Sequence, residues 1–116
     1  MNDQSSLEIW TEWEAFPDPR SGGFIHAPYG PGVYEVRRGD TKQLVLRGKG
    51  KHCAKRITSL LPTPLGSGTR NNDDKRQYML EHIRNLEYRT CACKTDALAA
   101  QLETNRKNAE PAVFNT

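Results

Sequence analysis

Apolar and polar positions alternate over two neighbouring stretches, Val33 to Arg37 and Gln43 to Arg47. A period of two in β-prone residues predicts strands, and Arg38-Gly39-Asp40-Thr41-Lys42 between them reads as the glycine-containing turn of a hairpin. From His52 the period changes. Cys53, Ile57, Leu60 and Leu61 recur at helical spacing until Pro62, whose ring disfavours helix at the residue before it. A loop rich in Pro, Gly, Ser, Thr and Asn is expected from Pro62 to Asn72, where it could touch a substrate. A second helix is expected to start at Asn72, because an Asn cap followed by Asp73 and Asp74 satisfies free N–H groups and complements the helix dipole. Met79, Ile83 and Leu86 mark its buried face. Glu87 to Cys93 alternates again, and Thr95 is placed to cap a last helix running to about Asn108. The order β-β-α-α-β-α predicts an α+β fold, a small three-stranded antiparallel sheet flanked by helices.

The N-terminal stretch is ambiguous. Ile9, Trp13 and Phe16 suit a helix, whereas Leu7, Ile9 and Trp13 also suit alternation, and the two tryptophans are expected in the core. Pro17, Pro19, Gly22, Gly23, Pro28, Gly30 and Pro31 then punctuate a linker. Residues 1–31 are therefore read as an acidic and aromatic extension packed on a domain formed by residues 32–116.

At 116 residues with 35% hydrophobic content, the chain has room for one modest core. No apolar run approaches the ~20 residues of a membrane-spanning helix, and the N-terminus lacks the basic start of a signal peptide. Three cysteines, an odd number, point to reduced thiols rather than a disulfide framework. A cytoplasmic protein with no membrane partner is expected. The net charge of +3 conceals an asymmetry, since Asp3, Glu8, Glu12, Glu14 and Asp18 meet no Lys or Arg before Arg20. The remaining chain is distinctly basic, with Arg47, Lys49, Lys51, Lys55 and Arg56 crowded into one stretch. Such a run is either a solvated face or a track for a phosphate backbone.

The residues with chemistry in them are widely spaced. Gly32-Val33-Tyr34, then Leu46-Arg47-Gly48 with Lys49-Gly50-Lys51-His52-Cys53-Ala54-Lys55-Arg56, then Thr95 to Glu103, then Pro111-Ala112-Val113-Phe114-Asn115 resemble the signature elements of the GIY-YIG nuclease family. The resemblance runs from about Pro31 to the C-terminus. It implies an endonuclease that hydrolyses phosphodiester bonds of nucleic acid, DNA foremost, leaving 5′-phosphate and 3′-hydroxyl ends. By the same resemblance Tyr34 acts as general base or positions the water, Glu103 holds one Mg²⁺ or Mn²⁺ ion, and Lys49 assists. Arg56 offers a fork of donors suited to the scissile phosphate. Because a free phenol has a pKa of ~10, the charges of Arg56, Lys49 and a metal would have to favour the phenolate. Arg47, Lys51, His52, Lys55 and Asn115 are expected to contact nucleic acid, and the Asn115 amide can also orient the metal carboxylate or a water. Leu46 stands where the family commonly has tyrosine, and Leu60 where relatives often carry an aromatic or histidine. Tyr34 is thus left as the sole signature tyrosine. Relatives usually gain selectivity from an added DNA-binding domain, so here substrate shape, a protein partner or self-association is expected to supply it. The alternative is a catalytically weakened nucleic-acid-binding module of the same fold.

Other patterns carry less. Cys91-Ala92-Cys93 places two thiols on one face of a strand and reads as small core residues rather than a zinc site, which would show paired C-x₂₋₄-C spacing. Gly48-Lys49-Gly50-Lys51 lacks the spacing and the hydroxyl residue of a Walker loop, which excludes nucleotide hydrolysis on that basis.

Overall fold

The computed structural model describes residues 9–17, 25–58, 77–79 and 81–114. The loop expected over residues 62–72, the helix start at Asn72, and Asn115 lie outside them. Among the described residues, strands β1 (Glu14–Ala15), β2 (Gly32–Arg38), β3 (Leu44–Gly50) and β4 (Leu86–Ala92) form one antiparallel sheet in the order β1-β4-β2-β3. Helices α1 (Cys53–Thr58) and α2 (Asp96–Ala109) pack on it, and a 3-10 turn at Ile83–Asn85 leads into β4. The fold is α+β as expected, with four strands rather than three.

The hairpin forms where the alternation predicts it. Arg38 N–H donates to the Gln43 carbonyl (2.8 Å) and Lys42 closes the turn at φ 63. Asp40 accepts from the Arg38 guanidinium and from Thr41 N–H, the local bonding that makes Asp a turn residue. Strand β3 continues past Arg47 through Gly48-Lys49-Gly50, because β2 offers those residues a ladder ending at Gly32↔Gly50. Glycine weakens a strand on its own, so only the partner strand makes this stretch extended.

The fourth strand comes from the ambiguous N-terminal segment. Thr11 N–H donates to the Thr90 carbonyl, Thr90 N–H to Thr11 Oγ1, and Phe16 N–H to the Leu86 carbonyl, so the chain zips along the free edge of β4. Extended pairing therefore prevails over helix. Trp10 and Trp13 are half-buried and lie not in the core but over guanidinium groups. Arg89 sits 4.3 and 4.7 Å from the two ring centroids, and Arg37 4.0 Å from that of Trp13.

Cross-strand register sorts the side chains into two faces. Tyr34, Val36, Leu46, Gly48, Tyr88 and Thr90 share one, and the cluster built on it includes Cys53 and Ile57 of α1 with Met79 and Ile83. Glu35, Arg47 and Arg89 share the other, beneath α2. Thr95 Oγ1 caps that helix by accepting from Leu98 N–H at 3.1 Å. Pro111 then stops the chain from continuing as helix, and the tail runs beside β3, with Val113 and Phe114 N–H donating to the Leu44 and Val45 carbonyls.

Beneath α2 lies a buried ionic network. Glu35 is 0% exposed and accepts from Arg47 Nε (2.7 Å), Arg89 Nε and Nη2 (2.9 and 2.7 Å) and Arg106 Nε (3.1 Å). Burial works to raise the Glu35 pKa, but hydrogen bonds from Arg89 and Arg47 and the charges of Arg106 and Arg89 outweigh it, and the net shift is downward.

Candidate active site

Tyr34 sits on β2 opposite Gly48 of β3, and its side chain is 1% exposed. The phenol lies across β3 in the space a side chain at residue 48 would fill. A Cβ added to Gly48 would overlap Tyr34 Oη and stand 2.9 Å from Cε2. Two residues on, a Cβ at Gly50 would stand 2.9 Å from Arg56 Cβ. The missing side chain at Gly50 lets α1 settle directly on the strand with Arg56 beside the phenol. The two glycines shape the site by making room, one for the tyrosine and one for the helix that carries the arginine.

Arg56 hydrogen-bonds to the Tyr34 hydroxyl, and the carboxylate of half-buried Glu103 on α2 is close enough for its charge to act on it. Side chains from β2, α1 and α2 therefore act on one another, a phenol hydrogen-bonded to a guanidinium and a carboxylate whose charge reaches the phenol. Their electrostatics depart from expectation in one respect. Burial pushes the Tyr34 hydroxyl up to about 12, against the charge and hydrogen bond of Arg56, which lower it, while Cys53 and Glu103 add to the rise. Arg56 acts in the expected direction, but desolvation of the phenolate is the larger effect. Tyr34 is protonated at neutral pH.

Lys49 does not join this group. Its register partner is Val33, so it projects from the opposite face to Tyr34, and its ammonium lies 3.4 Å from Asp96 in the first turn of α2. Arg47 corrects the expectation more sharply. It is 1% exposed, bonded to Glu35 and to the Glu110 carbonyl (2.9 Å), and buried beyond the reach of a phosphate backbone. Its Nη1 is a buried polar atom with no hydrogen-bond partner. Lys51, His52 and Lys55 are exposed around the start of α1, within a turn of Arg56. Asn115 lies outside the described residues. Leu46 is fully buried in the core.

Cys53 and Cys91 are buried and Cys93 is half-buried. Burial first, then the charges of Cys93 and Cys91, push Cys53 up to about 12, so it is inert as a thiolate. Among the described residues no three His, Cys, Asp or Glu side chains converge to hold a metal ion. A divalent cation here would rest on Glu103 and water. A single carboxylate fits a hard cation that retains most of its hydration shell.

The spacing of residues left several participants unmarked. Glu35, Arg89 and Arg106 meet across sequence separations of 54 and 71 residues, with no local signal that they do. Gly48 belongs to the second signature and Gly50 to the basic run, and neither position signals that it makes room for Tyr34 or Arg56. Among the described residues no helix is long and apolar enough to cross a membrane. No protein-family model and no curated protein matches the chain.

Proposed function

We propose that this chain is a metal-dependent endonuclease of the GIY-YIG type, hydrolysing phosphodiester bonds of nucleic acid, DNA foremost. The observation that carries the reading is the pairing of Tyr34 with Arg56, for which Gly48 and Gly50 make room, with the charge of Glu103 acting on the phenol. In this reaction water adds to phosphorus, the P–O3′ bond breaks, and the proton lost by water balances the one gained by the departing 3′ oxygen.

Arg56 supplies positive charge and directed donors to the phosphoryl oxygens. Tyr34, protonated at neutral pH and buried, acts through Arg56, whose guanidinium its hydroxyl holds in place at the phosphate. Glu103 would hold one Mg²⁺ or Mn²⁺ ion, which supplies positive charge at the phosphate and offsets the anion that raises the Tyr34 pKa. Lys51, His52 and Lys55 track the backbone beside the site, and their contribution weakens as salt rises. Lys49, tied to Asp96 on the other face, steadies the start of α2 rather than the chemistry.

The test is cleavage of supercoiled, branched and single-stranded DNA with Mg²⁺ or Mn²⁺, beside Glu103→Ala. Equal activity in the two proteins would sink the role of Glu103. A second reading, a nucleic-acid-binding module with weakened catalysis, is favoured by the protonated phenol and by Leu46 in the core. It predicts salt-dependent binding without turnover.

A further inference from the structure

Tyr29 is 82% exposed, yet the backbone on either side of it is fixed. The Pro28 carbonyl accepts from Ala54 N–H at 2.8 Å and the Gly30 carbonyl from Cys53 N–H at 3.0 Å. Both bonds satisfy first-turn donors of α1, and together they hold the intervening tyrosine outward at the helix start. There its ring meets that of His52, with centroids 5.5 Å apart and planes tilted by 53°. His52 is held in turn, its Nδ1 accepting from Lys55 N–H at 3.2 Å. Exposed Lys51 and Lys55 flank His52 in sequence.

A large ring left mostly in water on a tethered backbone gains little for folding, since little apolar area is removed from solvent. What it offers is a flat face with little freedom to lose on binding, beside two cations. A nucleobase is the matching ligand, because every base has a π-face and is joined to a phosphate. Arg56 N–H donates to the His52 carbonyl, so His52 stands one helical turn along the backbone before the arginine of the candidate site.

We propose that Tyr29 and His52 form a stacking platform for an unpaired nucleobase, which selects nucleic acid with a single-stranded stretch next to the bond at Arg56. This rests on the nuclease reading for its consequence, but not for its measurement. Stacking requires an unpaired base, because a base within a duplex already has its faces covered.

The experiment measures fluorescence anisotropy without divalent cation, so that nothing is cut. The probes are a single strand of about 12 nucleotides carrying 2-aminopurine and a blunt duplex of the same length. Tyr29→Leu is expected to weaken single-strand binding by roughly tenfold and abolish the quenching of 2-aminopurine. It should leave duplex binding within about twofold, and Tyr29→Phe should behave as the native protein. Unchanged single-strand affinity in Tyr29→Leu would overturn the proposal, as would equal losses for both probes. If the chain binds as described but never cleaves, the nuclease reading fails and the platform stands. If it cleaves and Tyr29→Leu binds normally, the reverse holds.

Discussion

Replacing Glu35 by alanine removes the one carboxylate that holds three arginines. Arg89 and Arg106 retain 21% and 23% of their side-chain exposure and can turn toward water, so their pairs are discounted as partly screened. Arg47 cannot, at 1% exposed and with one guanidinium nitrogen already without a partner. The magnitude therefore rests on a single stranded buried cation, for which the loss is about 3–5 kcal/mol. Against a total of roughly 5–15 kcal/mol for a domain, that is a large fraction, and it lowers Tm by roughly 10 °C or more. Urea unfolding followed by circular dichroism measures it. A compensated variant, Glu35→Ala with Arg47→Met, should recover most of the loss, because a packed apolar pair no longer strands a charge. A loss below about 1 kcal/mol in Glu35→Ala, or no recovery in the double variant, would refute the reasoning. The pH dependence has a definite sign. Because the folded pKa of Glu35 is lowered from 4.5, its contribution is present above that value and is lost as pH falls through the folded pKa.

Gly48→Ala should destabilise by about 1–3 kcal/mol, as the new methyl displaces the Tyr34 phenol; a urea midpoint at or above that of the native protein would show that the ring has room to spare. Alkaline stability follows from the raised Tyr34 pKa: its contribution is complete below pH 10.0 and is lost as pH rises toward about 12. Cys53, raised from 9.0 to about 12, acts in the same sense. Tyr34→Phe should accordingly show a shallower decline in Tm between pH 10 and 12 than the native protein, and an identical slope would contradict the burial argument.

The parts of this fold legible in the residues are those set by local rules. Thr95 predicts a cap because its hydroxyl bonds a donor three residues ahead, and it does so at Leu98. Arg38 to Lys42 predicts a turn because Gly39 and Asp40 favour one. Met79 and Ile83 were readable as buried because an apolar residue at helical spacing has few other places to go. What could not be read depends on contacts between distant residues. Arg47 sits in a basic run and looks like a phosphate ligand until Glu35, Arg89 and Arg106 close around it. The N-terminal segment suits helix and strand equally, and the open edge of β4 decides between them. The candidate site divides in the same way. Tyr34, Arg56 and Glu103 were each named from their positions, but the sign of the Tyr34 shift follows from how deeply Gly48 lets the ring enter, which spacing does not reveal.

The most direct test of the central claim is the rate of nicking of supercoiled DNA in Mg²⁺ or Mn²⁺ by the native chain and by Tyr34→Phe, Arg56→Ala and Glu103→Ala, with folding of each checked by circular dichroism. The account predicts cleavage by the native chain and a loss of roughly 10²-fold or more in each variant, as expected for groups that stabilise charge at the reacting phosphate or hold the group that does. Cleavage by all four proteins at one rate would contradict it, and so would native protein that binds DNA without cutting it.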